Sequence, residues 1–236
     1  EYYMRMFVKD IGMVGSAEFV PIAEDTGHIS SVEYYALERV AQEIAELEKK
    51  GIEYESIAVP VSPVLIIQEN FVDTVQSMIE KYQIPSGKLA VEIDEYALTT
   101  TPVIIEIVMQ QLKDLGVELI LNNFGSGYSG ISKILELPVD TLKFERMFMW
   151  QLETNQKSEP IVECLIKAAD KLGKRLIAEG VETQRQLDIL AKFGCAYQQG
   201  YYYSPTIPQE LLVNVLGKSM EETRTVLDQE REKLKQ

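Results

Sequence analysis

The chain has 236 residues, with 23 Lys+Arg against 37 Asp+Glu and a net charge of −14. That length fits one large α/β or barrel domain, or two small ones, and 46% hydrophobic with 25% charged residues excludes disordered and fibrous classes. A pI of 4.6 is the wrong sign for duplex nucleic acid, which selects clustered Lys and Arg, and no apolar run reaches the roughly 18 residues of a membrane span. A phosphate-bearing ligand would therefore need a local basic group, a helix N-terminus or a metal. Cys164 and Cys195 stand alone without a CxxC pair, which fits a reducing compartment and no structural zinc. The chain opens at Glu1 rather than Met, so the expectation is a piece of a longer protein in a cytoplasmic setting.

Taken in order, short β-rich runs alternate with amphipathic stretches. The strand-like runs are Tyr2–Val8, Ile57–Val61, Leu89–Ile93, Glu118–Leu121, Thr141–Phe144, Arg175–Ala178 and Cys195–Tyr203. Helical periodicity covers 31–50, 68–83, 99–115, 129–136, 158–173 and 182–193. In the first, Leu37, Val40, Ala41, Ile44 and Leu47 recur at helical spacing, with Gly51 as the stop. The segment 102–116 opens on Pro102 and closes on Gly116, and Gly173 and Gly194 end two further helices. Residues 209–236 read as a helix without a following strand: a terminal covering helix, a dimerisation segment or a linker.

Repeated strand–helix units require a parallel sheet covered by helices. An open doubly wound sheet competes with a (β/α)8 barrel. The absence of GxGxxG or GxxxxGK[ST] after the first strand favours the barrel, although seven strands are read where a closed barrel has eight. Barrel chemistry sits at the C-terminal strand ends. There the sequence places Glu92 and Glu95, Asn122 and Asn123, Lys143 and Glu145, Glu179 and Glu182, and Gln198 and Gln199. Carboxylates from several strands repel one another unless a lysine or metals neutralise them, which suggests phosphoryl transfer or a metal site. The glycines of the Asn122–Tyr128 loop allow close backbone approach, and a helix start near Ser129 could hold an anion; an ordinary βα turn is the competing reading.

Seven ordered blocks across about 1–207 resemble the EAL domain family, whose active members hydrolyse cyclic di-GMP. EYYMRM (1–6) is similar to E-A-L-x-R-W, and EFVPIAEDTGHI (18–29) to F-I-P-x-A-E-x-T-G-x-I. VEIDE (91–95) resembles E-I-T-E, and LGVELILNNFGSGYSG (115–130) resembles LGxxxxLDDFGTGYSS. LPVDTLKFE (137–145) resembles LPVDxLKID, AEGVET (178–183) is an unaltered match, and QGYYYS (199–204) resembles the QGY-containing end strand. The resemblance implies a TIM-like barrel over 1–207, with its first strand before Glu1, plus a C-terminal helical extension over 208–236.

It also implies residue roles. Glu1, Glu92 and Glu179 match metal ligands; Lys143 would orient or activate the attacking water, with Glu179 beside it. Gln199 would hold water or substrate, Arg5 would face a ligand phosphate, and Glu179 would also contact the dinucleotide. The implied cofactor is a pair of Mg²⁺ or Mn²⁺ ions, whose bound water is a nucleophile at neutral pH. Three ligand positions depart. Pro60 replaces the Asn of V-N-x-S, and Asn122-Asn123 replaces the bridging Asp-Asp pair, so two negative charges are lost where hard cations need them. Glu145 lengthens the LKID carboxylate, and Tyr2 is bulky where alanine is usual.

The resulting expectation is a degenerate EAL domain, a pseudoenzyme with weak or no metal binding that serves as a regulatory or cyclic di-GMP-binding module. The alternative is an active phosphodiesterase releasing linear pGpG. Implied partners are a neighbouring GGDEF or sensor domain and a second copy met near 122–136, with no nucleic acid polymer. His28 carries no catalytic expectation. Trp150 is read as packing in a loop, and Tyr201–Tyr203 as alternating between the faces of a strand.

Overall fold

The computed structural model describes residues 1–127 and 131–233. The chain divides into two compact units: Glu1–Lys49 with Glu55–Leu142, and Lys50–Tyr54 with Lys143–Gln236. In the first unit β1 (Arg5–Val8) and β2 (Gly12–Gly15) precede α1 (Ser16–Asp25) and α2 (Ile29–Lys50). Then come β3 (Ile57–Val61), α3 (Pro63–Ile66), α4 (Phe71–Tyr82), β4 (Leu89–Asp94), α5 (Pro102–Asp114), β5 (Glu118–Phe124) and the first residues of β6 (Thr141–Phe144). The second unit holds the rest of β6, then α6 (Arg146–Thr154), α7 (Glu159–Lys171), β7 (Arg175–Glu179), α8 (Gln184–Phe193), β8 (Tyr197–Gln199), α9 (Leu212–Val215) and α10 (Met220–Lys233). Strands β3 to β8 form one six-stranded sheet in chain order, with β3–β4, β4–β5 and β7–β8 paired in parallel.

The expected first strand, Tyr2–Val8, does not join this sheet as read. Arg5–Val8 pairs antiparallel with β2 in a separate hairpin, because Asp10 and Gly12 adopt left-handed φ and turn the chain back. Tyr2 reaches the sheet, its N–H donating to Ala58 O at 2.8 Å. Ile57 N–H donates the other way, to Lys88 O next to β4. Ala58 and Pro60 therefore share the outer edge of β3, and the N–H that Pro60 lacks costs the β3–β4 ladder nothing.

Strand β4 is buried from Leu89 to Ile93, as expected of a strand covered on both faces. Its register fixes what shares a face. Ala58 lies beside Ala90 and Pro60 beside Glu92; Glu92 lies beside Ile120 and Asp94 beside Asn122. Ala58, Ala90 and Ile120 make a buried apolar layer, and the polar groups follow it toward the C-terminal strand ends. Helix α2 buries Ile29, Leu37, Val40, Ala41, Ile44 and Leu47 on one stripe. Glu33 occupies a position on that same stripe.

Several elements differ from the expectation. The last strand spans only Tyr197–Gln199, and Tyr201–Tyr203 lie in a turn. Gly200 causes the break: a Cβ there would sit 2.2 Å from Val181 O, so the chain meets Val181 by backbone and leaves the strand. Trp150 lies in α6 rather than a loop and is 61% exposed, so it does not serve packing; Met149 beside it is buried. Residues 209–236 are not one helix. Gly217, with φ +73°, separates α9 from α10, and a capping box of Ser219 and Glu222 restarts the helix. The expected helix start near Ser129 lies outside the described residues, and Ile131–Leu135 forms a 3₁₀ turn. No helix among the described residues is long and apolar enough to cross a membrane.

Glu33 accepts from Ser62 N–H at 2.8 Å and from its hydroxyl at 2.6 Å, while Ser62 Oγ accepts from Leu65 N–H and caps α3. Burial pushes the Glu33 carboxyl up to about 7, against the lowering effect of the two Ser62 bonds. A folded-state pKa above the unfolded 4.5 means that the native state binds the extra proton between these values, so stability falls as pH rises through that window. Glu33→Gln keeps an acceptor for Ser62 and removes the titration. Urea midpoints of the wild type should drop from pH 5 to pH 8 by the equivalent of up to about 3 kcal/mol, and Glu33→Gln should flatten that slope.

Candidate functional site

In the first unit the polar groups gather at the ends of β4 and β5. Glu92 is 2% exposed and Glu95 fully buried, whereas Asp94 between them is half-buried. Asp94 does two jobs: Oδ1 accepts from Tyr96 N–H at 2.9 Å and starts a 3₁₀ turn, and Oδ2 accepts from the Asn123 amide nitrogen. Period-two alternation would point Asn123 away from the face shared by Asp94 and Asn122. Its φ of +52° breaks the alternation and turns the amide back to Asp94; asparagine tolerates that conformation better than most residues. Asn122 Oδ1 is buried without a hydrogen-bond partner among the described residues.

Glu95 holds the loop that follows β5. One of its carboxylate oxygens accepts from Gly125 N–H at 3.0 Å, Ser126 N–H at 3.2 Å and Ser126 Oγ–H at 2.9 Å. Charge-assisted bonds to a fully buried carboxylate fix the loop backbone more firmly than neutral ones. Gly125 has φ +94°, which lets both N–H groups face the same oxygen.

In the second unit Lys143, 2% exposed on β6, lies 3.4 Å from Glu179 Oε2 at the end of β7. The other Glu179 oxygen faces Arg146 Nε at 3.9 Å, and Arg146 reaches on to Glu182 at 3.6 Å. Glu179 is thus flanked by two cations on its own unit. Gln199 on β8 is the register partner of Glu179, and its carbonyl accepts from Gly180 and Val181 N–H at 2.8 and 3.0 Å. The AEGVET and QGYYYS segments hold each other by backbone contacts.

The expected residues therefore fall into local groups. Glu92, Asn122, Asn123 and Pro60 belong to the first unit, with Pro60 beside Glu92; Lys143, Glu179 and Gln199 belong to the second. Glu1 is exposed and accepts from Tyr3 OH at 2.8 Å. Arg5 donates to Met4 O at 3.0 Å and lies 5.9 Å from the Tyr3 ring, on the exposed hairpin. Glu145 precedes α6, and its backbone carbonyl accepts from Phe148 N–H. His28 is exposed in the turn between α1 and α2. Sequence reasoning missed Asp94, Arg146 and Glu33. The signal for Asp94 was present in VEIDE, which carries aspartate where E-I-T-E has threonine.

At three positions where the resemblance implies ligands for a pair of divalent cations, the side chains carry no negative charge. Pro60 has no side-chain oxygen, the Asn123 amide nitrogen donates to Asp94, and Asn122 and Asn123 each offer a single neutral oxygen where a carboxylate would carry charge. Among the described residues no three His, Cys, Asp or Glu side chains gather closely enough to hold a metal ion.

Residues 1–206 match the sequence model of the EAL domain. The oxygen sensor protein DosP of Escherichia coli is 29% identical over 199 residues, covering 84% of this chain and 25% of that protein. The cyclic di-GMP phosphodiesterase NbdA of Pseudomonas aeruginosa is 31% identical over 205 residues, covering 87% and 26%. The chain thus spans about a quarter of the length of these relatives. Among solved structures, a complex of the phosphodiesterase PaMucR with c-di-GMP aligns with a TM-score of 0.83 at 26% identity, over 88% of this chain and 84% of that one. The EAL domain of Mycobacterium smegmatis DcpA aligns with a TM-score of 0.73 at 30% identity, over 80% and 85%.

Glu95→Ala should release the loop after β5. The expected loss is about 3 kcal/mol of stability by urea unfolding, since buried backbone donors lose a charged acceptor. Amide exchange at Gly125 and Ser126 should accelerate while that of β4 does not.

Proposed function

We propose that this chain, which belongs to the EAL domain family, is a cyclic di-GMP signalling module that does not turn the dinucleotide over. The observation that supports this most is the Asp94–Asn123 hydrogen bond: the amide standing where the family bridges its cations donates instead to a neighbouring carboxylate. Beside it Pro60 removes a ligand oxygen, and Asn122 supplies no charge. In this reading no step runs through a metal. Arg5 on the first unit and, on the second, Glu179 and Gln199 are the side chains that the resemblance carries over as dinucleotide contacts, with loop backbone N–H groups beside them. The Lys143 and Arg146 cations offset Glu179, which would otherwise repel a phosphate. We further assign residues 1–207 to the domain proper and 208–236 to an extension.

The chain's share of its relatives, about a quarter, supports a role beside other domains, a GGDEF or sensor domain of the same cytoplasmic protein. A homodimer is supported by the exposed apolar side chains of Val103, Ile104 and Ile107 on α5 and of Leu135. The 122–136 segment proposed for it lies partly outside the described residues.

The alternative, an active phosphodiesterase, is favoured by the Lys143–Glu179 pair at 3.4 Å and by the buried Glu92. The test is incubation with cyclic di-GMP and Mg²⁺ or Mn²⁺, followed by chromatography for the linear dinucleotide. The expected result is no product above the buffer blank. Turnover that disappears in Glu1→Ala would establish the alternative. Calorimetry with cyclic di-GMP in EDTA reads binding separately: heat at tens of micromolar ligand supports the binding module, and its absence leaves only the regulatory scaffold.

A further inference from the structure

Position 94 and position 123 have exchanged hydrogen-bonding character relative to the family pattern. In the motif, E-I-T-E offers a threonine hydroxyl at the first position and D-D-F-G a carboxylate at the second. Here the carboxylate is Asp94 and the second position is the Asn123 amide. A carboxylate only accepts, so the Asn123 nitrogen must face Asp94, as it does. The end of β5 has thus lost both charges of the motif's Asp-Asp pair, and one negative charge stands instead at the end of β4. We infer that the Asp94–Asn123 bond is a cation-free lock, joining the ends of β4 and β5 where the family's strand ends are drawn together by divalent cations.

Three observations carry this. Asp94 is fixed independently of Asn123, because its other oxygen accepts from Tyr96 N–H at 2.9 Å. Asn123 is held in a left-handed conformation, φ +52°, that aims its amide at Asp94. The next residue along, Glu95, clamps Gly125 and Ser126 of the loop that Asn123 opens, so consecutive carboxylates on one strand end hold consecutive parts of that loop. The amide is essential to this arrangement. A carboxylate at 123 in the same conformation would meet Asp94 at hydrogen-bond distance, where two like charges repel unless a cation or a shared proton lies between them. The lock is a property of the strand ends and does not depend on whether the dinucleotide binds.

The test reads thermal unfolding of the whole chain in EDTA and in millimolar Mg²⁺ or Mn²⁺, with no turnover measured. Wild type should melt within about 1 °C in both buffers, since a cation without differential affinity for the folded state shifts nothing. Asn123→Asp should melt several degrees lower in EDTA and recover most of that loss with Mn²⁺. The exchanged double variant Asp94→Asn/Asn123→Asp restores an amide–carboxylate bond of opposite polarity, and should melt within about 2 °C of wild type in EDTA, given the roughly 2–4 °C per kcal/mol expected at this size. A merely structural bond would not make the single variant cation-dependent. The inference is overturned if wild type gains several degrees from the cation, or if Asn123→Asp in EDTA melts like wild type. Should Asn123→Asp be recovered only as aggregate, the exchanged variant decides alone: a wild-type melting temperature supports the lock, and failure to fold in EDTA overturns it.

Discussion

The arrangement at the ends of β4 and β5 depends on one constraint: a carboxylate carried out of water must be met by donors or cations. Parallel register forces the issue. It places Pro60 beside Glu92 and Asp94 beside Asn122, with Pro60, Glu92 and Asn122 each two residues beyond an apolar layer of Ala58, Ala90 and Ile120. Nothing in that layer can solvate a charge, so neutralisation has to come from the strand ends and the loops that leave them. Asp94 meets the constraint with the Tyr96 amide and the Asn123 side chain, and Glu95 meets it with Gly125 and Ser126. In the second unit the same demand is met by cations of the chain itself, Lys143 and Arg146 on either side of Glu179.

The same constraint gives the net charge of −14 a local meaning. Acids on the solvent side of helices pair at the surface, as Glu38 does with Lys81 and Tyr82, where solvent screening leaves little stability to gain. Buried acids behave otherwise. Glu33 sits on the apolar stripe of α2, and desolvation drives its carboxyl toward neutrality even though Ser62 donates to it twice. Its partner caps α3 immediately after β3, so the turn that follows Pro60 is held by a group whose charge depends on pH near neutrality.

Much of this was legible in the residues. Pro102 and Gly116 bracket α5, Gly194 ends α8 in a left-handed cap, and the runs Ile57–Val61 and Thr141–Phe144 coincide with β3 and β6. Motif blocks carried the family, because AEGVET and its companions occur in one order. The misreadings have a common physical origin. The hairpin of β1 and β2, the early end of β8 at Gly200 and the exposure of Trp150 on α6 each turn on which backbone or solvent the chain meets. No periodicity encodes that. Position 94 was overlooked for a related reason: an aspartate at a strand end is unremarkable until its neighbour across the sheet is known to be an amide.

By itself the sequence determined the class of the protein, the alternation of strands and helices, and the residue types standing at each motif position. Those follow from local spacing and from side-chain chemistry that needs no partner. Only the tertiary structure decided which of these groups meet. Register put Asp94 next to Asn122, a left-handed φ at Asn123 sent its amide to Asp94 rather than outward, and burial turned Glu33, Glu92 and Glu95 from ordinary acids into groups whose charge has to be answered. Hydrogen bonds and desolvation act over a few ångströms, and residues 29 apart in the chain reach that distance only after the sheet has formed.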